Sequence, residues 1–324
     1  MRVDFFSTQP YDQNYFNQLN QTHQIVYHAE HLNEKTASLA KGAQAVCVFV
    51  NDTLDKACID KLAKFGIRYI ALRCAGFNNV DLTECHKNQI KIVRVPAYSP
   101  NAVAEHAMAI LLTLVRKTHK AYNRVREGNF SLKGLEGITL ANKTVGIIGL
   151  GKIGTIFAQI CLGFGCQVQA FDPEDVNLSG VKSVSCEEVI QTSDIISLHC
   201  PLTNQTYHLI DAAQIEKMKP GAIIINTGRG ALINAEALID ALKKKTIAAV
   251  GLDVYEQESS LFFSDHSEEV ISDDVLMRLM TFPNVLITGH QGFFTHESLM
   301  EIARVTLNNL DQLEKTHACD NEIQ

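Results

Sequence analysis

The chain has no long run of lysine and arginine, no long apolar run, no C-x-x-C pair, no fixed-period repeat and no low-complexity linker. With 29 Lys+Arg against 36 Asp+Glu, the net charge is −7. A net negative chain without a basic stripe has no footprint for a phosphate backbone, which argues against a nucleic-acid partner. No apolar stretch approaches the ~18 residues that a membrane-spanning helix needs. The opening Met1-Arg2-Val3-Asp4 meets an acid at once, unlike a secretory signal. The nine cysteines are scattered from Cys47 to Cys319, a spacing that suits neither a metal site nor a disulfide framework. No metal is therefore expected, and the cysteines read as reduced thiols of a cytoplasmic protein.

What is present is globular. At 46% hydrophobic and 20% charged residues the composition excludes long disorder, and 324 residues suggest two domains at roughly 150 residues each. Short β-branched runs at residues 2–7, 24–28, 45–50, 67–74 and 90–95 read as strands. Residues 33–41 and 54–65 have helical composition, which gives a βαβ rhythm and a parallel sheet. Ser99-Pro100-Asn101 then opens an apolar, alanine-rich stretch that runs to about Glu127 and closes at Gly128. As one helix it would be about 40 Å long, with a first half apolar nearly all round, and is expected to bridge two units or join two subunits. From Lys143 the rhythm restarts, with six strands expected at 144–148, 168–171, 195–198, 222–226, 248–252 and 285–288. An amphipathic helix at 296–313 and a polar tail follow.

Gly149-Leu150-Gly151-Lys152-Ile153-Gly154 is a G-x-G-x-x-G lying between a strand and a helix. In that context the glycines allow a tight turn and close backbone approach, and the helix N-terminus faces a pyrophosphate. Asp172 ends the next strand, 18 residues after Gly154, where a carboxylate binds ribose hydroxyls. Pro173 and Glu174 follow, with no arginine to accept a 2′-phosphate, so NAD(H) is favoured over NADP(H). A methyltransferase would share the fold, but would not need the three residues that follow later strands: Arg229 after 222–226, Glu258 beyond Asp253, and His290 just past 285–288. The carboxyl ends of strands form the ligand crevice of a doubly wound sheet, so all three are placed to face one site.

Seven motifs now make the chain recognisable: Leu72-Arg73-Cys74-Ala75-Gly76-Phe77-Asn78-Asn79-Val80-Asp81, Val95-Pro96-Ala97-Tyr98-Ser99-Pro100, the glycine fingerprint, Leu198-His199-Cys200-Pro201-Leu202-Thr203, Asn226-Thr227-Gly228-Arg229-Gly230, Asp253-Val254-Tyr255-Glu256-Gln257-Glu258 and Gly289-His290-Gln291. Over nearly its whole length the chain resembles the D-specific 2-hydroxyacid dehydrogenases, most closely the fermentative NAD-dependent D-lactate dehydrogenases of bacteria. The resemblance implies that Arg229 holds the substrate carboxylate and polarises the keto oxygen. It makes His290 the proton donor and acceptor, and has Glu258 orient that imidazole and favour its charged form. It places substrate contacts at Ala75, Gly76 and Tyr98. Cofactor contacts, besides Gly149, Gly151 and Gly154, fall on Lys152, Ile153, Asp172, Cys200, Pro201, Thr206, Thr227, Gly228 and Asp253. Gly228 stands where many members have Ser, and Ala75 where many have a larger aliphatic residue.

Two residues compete for these roles. His199, in an apolar strand, reads as structural or on the cofactor side. Glu256 is two residues from Glu258, and one local turn would exchange them; the family pattern puts the acid last. The acidic stretch 256–274, with Leu261-Phe262-Phe263, reads as a loop at the crevice edge.

The expected architecture is α/β, with two doubly wound parallel-sheet domains. A Rossmann NAD-binding domain, residues 100–290, is inserted into a flavodoxin-like substrate domain of residues 1–99 and 291–324. The expected activity is reversible reduction of pyruvate to D-lactate by NADH in a homodimer or dimer of dimers. The alternatives are a bulkier 2-keto acid, or an NAD(H)-sensing corepressor-like protein that keeps the same three residues. Phosphoglycerate dehydrogenase is disfavoured, because the chain ends soon after its last helix.

Overall fold

In the computed structural model, residues 1–174, 176–258 and 261–323 are described, and the chain divides into two compact units. The first comprises Met1–Ser99 and Phe293–Gln324, the second Pro100–Gly292. Ser259 and Ser260, within the expected loop at 256–274, lie outside the described residues.

The first unit carries β1 (Arg2–Phe5), α1 (Pro10–Leu19), β2 (Gln24–Tyr27), β3 (Ala45–Val48), α2 (Lys56–Lys64), β4 (Tyr69–Leu72), α3 (Leu82–Lys87) and β5 (Lys91–Arg94). Its strands form a parallel sheet in the order β2-β1-β3-β4-β5. The central β3 and β4 are buried along their whole length, as strands covered on both faces must be, so they read as unbroken apolar runs.

Helix α1 is not among the expected elements. Only Asp12 and Phe16 are buried in it, so the apolar periodicity is faint, although Pro10 at the first turn and a Gln9/Asp12 capping box mark its start. The helix expected over 33–41 reduces to one 3-10 turn, Ala37–Ala40. There the Thr36 hydroxyl donates to the His31 carbonyl (2.6 Å) and the Asn33 side chain accepts from Lys35 N–H (2.8 Å), local bonds that compete with a helix. After the C-terminal helix His296–Thr316, the polar tail pairs with β5: Arg94 N–H donates to Asn321 O (3.2 Å) and Ile323 N–H to Ile92 O (2.9 Å). The pairing covers an otherwise open sheet edge.

The second unit opens with α4 (Pro100–Arg116), which the expectation had continuing to about Glu127. It stops instead at Lys117, whose φ of +52° is left-handed, and α5 (Thr118–Arg126) starts anew. Packing from further along the chain accounts for the break. Ile138 N–H takes the Val115 carbonyl (3.2 Å), and Gly137 lies so close that a Cβ there would sit 2.1 Å from that oxygen. Nine residues of α4 are buried and none of α5.

The sheet that follows has seven parallel strands, one more than expected: β6 (Thr144–Ile148), β7 (Gln167–Phe171), β8 (Val181–Ser183), β9 (Ile195–Leu198), β10 (Ala222–Asn226), β11 (Ile247–Leu252) and β12 (Val285–Ile287). The addition, β8, is three residues long and mostly exposed, too short for a periodic signal. The order is β12-β11-β10-β9-β6-β7-β8, so the winding reverses at β6, between β9 and β7. Doubly wound sheets bind ligands at the carboxyl ends beside such a reversal. Helices α6 (Lys152–Gly163), α7 (Cys186–Thr192), α8 (Ala212–Lys217), α9 (Ala235–Lys244) and α10 (Asp274–Met280) complete the unit. No helix of the described residues is long and apolar enough to cross a membrane.

Candidate active site

Every expected cofactor or acid–base residue of the second unit follows the carboxyl end of a strand. Gly149 ends the β6 turn with φ +98°, and a Cβ there would lie 2.6 Å from Cys200 N. Gly154, inside α6, would place a Cβ 1.9 Å from Gly149 O, so it lets helix and turn pack together. Gly151 differs. Nothing lies within 4 Å of its Cβ position, and it caps α6, whose first residues are Lys152 and Ile153. Tight turn, open approach and close helix packing are the three tasks of a dinucleotide fingerprint, and this cradle fits a pyrophosphate.

Asp172 follows β7 and points back to the cradle, its Oδ2 accepting from Leu150 N–H (2.6 Å) and its Oδ1 from Glu174 N–H (3.0 Å). Each carboxylate oxygen retains a second lone pair for a ribose hydroxyl. The loop after β9 carries Cys200, Pro201 and Thr206, and Thr206 Oγ1 closes it on Pro201 O (2.6 Å). Burial raises the Cys200 thiol to about 11, so it is a neutral thiol rather than a nucleophile. Thr227 Oγ1 is buried with no hydrogen-bond partner among the described residues, an orphan that a bound ligand would satisfy. At Gly228 a Cβ would make only ordinary contacts of 3.5 Å or more, so a small side chain such as serine would fit.

Arg229, Glu258 and His290 leave three adjacent strands, β10, β11 and β12. Asn226, buried at the end of β10, shapes the turn that presents the arginine: its Oδ1 accepts from Gly228 N–H (3.0 Å) and its Nδ2 donates to Arg229 O (2.9 Å). Arg229 Nη1 donates to Gly228 O (2.8 Å), which uses one of five guanidinium donors. Gly230 then packs on the next loop, where a Cβ would lie 2.0 Å from the Tyr255 carbonyl carbon. Only glycine lets the Arg229 turn sit on the backbone that leads to Glu258.

The competition between the two glutamates resolves by geometry. Glu258 Oε1 lies 2.7 Å from His290 Nδ1, and its Oε2 accepts from Tyr255 N–H (2.8 Å). Glu256 Oε1 instead lies 2.7 Å from His208 Nε2. A carboxylate only accepts, so Nδ1 of His290 carries the proton in that bond, and Nε2 is left for proton exchange. The Phe263 ring stands against His290, with centroids 5.7 Å apart, while Leu261 and Phe262 pack on the core. His199 stays structural: its Nε2 lies 2.9 Å from Ser197 Oγ, its ring is 5.0 Å from Phe157, and burial lowers its pKa to about 4, so it is neutral.

Asp253 departs from a simple cofactor contact. Its carboxylate is 1% exposed and accepts from His106, Thr288, Gln291 and Gly292. Sequence reasoning passed over His106, His208 and Asn226. For Asn226 a signal existed, since an Asn that ends a strand two residues before a glycine is an Asx-turn former.

In the first unit, Ala75 O accepts from Arg94 Nη1 (2.9 Å) and Gly76 O from the Cys74 thiol (3.2 Å). Tyr98 packs edge-on against Phe293, with centroids 6.2 Å apart, and Phe293 also touches Phe49 at 5.7 Å.

A dinucleotide cradle beside a carboxylate–imidazole pair and an arginine defines an NAD-dependent dehydrogenase. Residues 108–292 match the NAD binding domain of the D-isomer specific 2-hydroxyacid dehydrogenases; the chain belongs to that family, and NAD is its cofactor. Over its full length it is 50% identical to 2-hydroxyacid dehydrogenase A of Aspergillus oryzae, covering 95% of that protein. It is 49% identical to the D-lactate dehydrogenase of Escherichia coli, with all of both chains covered. The solved structure of the pyruvate reductase of Chlamydomonas reinhardtii matches with a TM-score of 0.92 at 41% identity, covering 99% of this chain and 98% of that one.

Proposed function

We propose that the protein reduces pyruvate to D-lactate reversibly, with Arg229, Glu258 and His290 as its catalytic residues. The Glu258–His290 contact carries this reading, because it fixes the hydrogen on Nδ1 and leaves the Nε2 edge of the ring for proton exchange with a keto oxygen. The full-length likeness to the Escherichia coli enzyme supports the substrate. NADH, when bound, supplies the hydride. Arg229 then binds the substrate carboxylate with its planar fork and polarises the keto oxygen, and His290 delivers a proton from Nε2. In the reverse direction the same nitrogen takes the proton from the hydroxyl. Glu258 holds the ring through its bond to Nδ1. Residues 100–290 serve as the nucleotide domain, with contacts from Lys152, Ile153, Asp172, Cys200, Pro201, Thr206, Thr227, Gly228 and Asp253 besides the three glycines. Residues 1–99 and 291–324 serve as the substrate domain, through Ala75, Gly76 and Tyr98.

The working unit is a homodimer or dimer of dimers. Helix α5 and the segment after it expose Tyr122, Phe130 and Leu132 at 61%, 74% and 81%, an apolar face that a second copy would cover. All nine cysteines are free thiols, in keeping with a cytoplasmic setting.

Initial rates with NADH against a panel of 2-keto acids, with chiral analysis of the product, test the reading. It expects pyruvate as the best substrate and D-lactate as the product. A preference for branched or aromatic keto acids would assign a bulkier substrate, and binding without turnover would assign a sensor.

A further inference from the structure

His290 has φ +53°, a left-handed conformation that is strained for a residue with a Cβ and persists only where its surroundings fix it. The fixing comes from Asp253. The Asp253 main-chain carbonyl accepts from His290 N–H (2.8 Å). Its Oδ1 accepts from Thr288 Oγ1 (2.5 Å) and Gln291 N–H (2.9 Å), and its Oδ2 from Gly292 N–H (2.7 Å). One buried residue thus grips the turn on both sides of the histidine.

The carboxylate is itself held from outside the turn. His106 Nε2, on α4, lies 3.1 Å from Asp253 Oδ1 and 3.1 Å from Thr288 Oγ1. Facing an acceptor-only group, Nε2 carries the proton. Burial pushes the Asp253 carboxyl up, but the bonds from His106 and Thr288 outweigh it and leave the pKa below its ordinary value. Asp253 therefore stays ionised, and can accept all four bonds. His106 stands among Ala104, Ala107 and Met108, all buried, so its backbone is fixed by packing.

We propose that His106 is a positioning residue for proton transfer: by donating from Nε2 to Asp253 it sets the carboxylate orientation that clamps the 288–292 turn and aims the His290 ring. The proposal rests on His290 as the acid–base residue. It places His106 in no contact with the reacting atoms; the effect passes through Asp253.

His106→Leu removes the donor, whereas His106→Gln keeps an N–H near the Nε2 position. Three quantities are read on each holoenzyme: kcat for pyruvate reduction, NADH affinity by fluorescence, and the low-field proton resonance of His290 Nδ1–H. In His106→Leu, kcat should fall about 10- to 100-fold, NADH affinity should change far less than kcat, and the resonance should shift or broaden. His106→Gln should recover kcat to within about threefold. If His106→Leu does not fold, His106→Asn, polar but too short to reach Asp253, takes its place with the same expectations. Unchanged turnover, a loss that glutamine does not restore, or a loss with the resonance unmoved overturns the proposal. Failure of the acid–base reading would show separately, as activity retained in His290→Gln whatever His106 does.

Discussion

Glu258 and Glu256 stand two residues apart in one loop, and each meets an imidazole at 2.7 Å, yet they build different devices. Glu258 takes Nδ1 of His290 and leaves Nε2 for chemistry. Glu256 takes Nε2 of His208, whose Nδ1 lies 3.3 Å from Asn234 Nδ2 and whose main-chain N–H donates to Ala231 O (2.8 Å). Both ring nitrogens of His208 are thus engaged, and Tyr207 stacks over it at 4.0 Å. That pair ties the loop after β9 to the loops of Arg229 and Glu258. The difference teaches that a short carboxylate–imidazole contact does not by itself mark a proton donor. The ring edge it leaves available does.

Four substitutions probe that contrast, from the largest effect to the smallest. His290→Gln should lower kcat by about 10²- to 10⁴-fold while NADH still binds, as steady-state rates and fluorescence titration would show; near-normal turnover would break the contrast at its centre. Asp172→Ala should narrow the NADH-over-NADPH ratio of kcat/KM by roughly tenfold, because the lost carboxylate both binds ribose hydroxyls and repels a 2′-phosphate; an unchanged ratio would place that selection elsewhere. His208→Gln should change kcat by no more than about fivefold, since only loop bracing is lost. A loss matching that of His290→Gln would make the two pairs equivalent.

His199→Gln acts on stability. Burial takes the His199 pKa from 6.5 to about 4, so between those values the unfolded chain binds a proton there that the folded chain does not. The stability of neutral His199 is complete above about pH 6.5 and is lost as the pH falls toward 4. Melting temperatures from pH 7 to pH 4 should decline less steeply in the variant; parallel curves would contradict this.

Much of this arrangement was legible in the sequence because it is local. The fingerprint glycines, Asp172 and the Arg229 turn each lie within a few residues of the strand that presents them. The parallel sheets were legible from runs such as β3 and β10, whose burial on both faces forces continuous apolar character. What escaped depends on distant partners. The break at Lys117 needs residues 137 and 138 to reach Val115, and His106 meets an aspartate 147 positions away. The choice between Glu256 and Glu258 came from family likeness, because both lie in one turn and only the placed histidines separate them.

The ring protonation itself tests the central claim most directly. Histidine-selective ¹⁵N correlation spectra, recorded where the imidazoles are neutral and assigned by His290→Gln and His208→Gln, report which nitrogen carries the hydrogen in each ring. His290 should carry its hydrogen on Nδ1 and His208 on Nε2. His290 with its hydrogen on Nε2 and a bare Nδ1 toward Glu258 would contradict it.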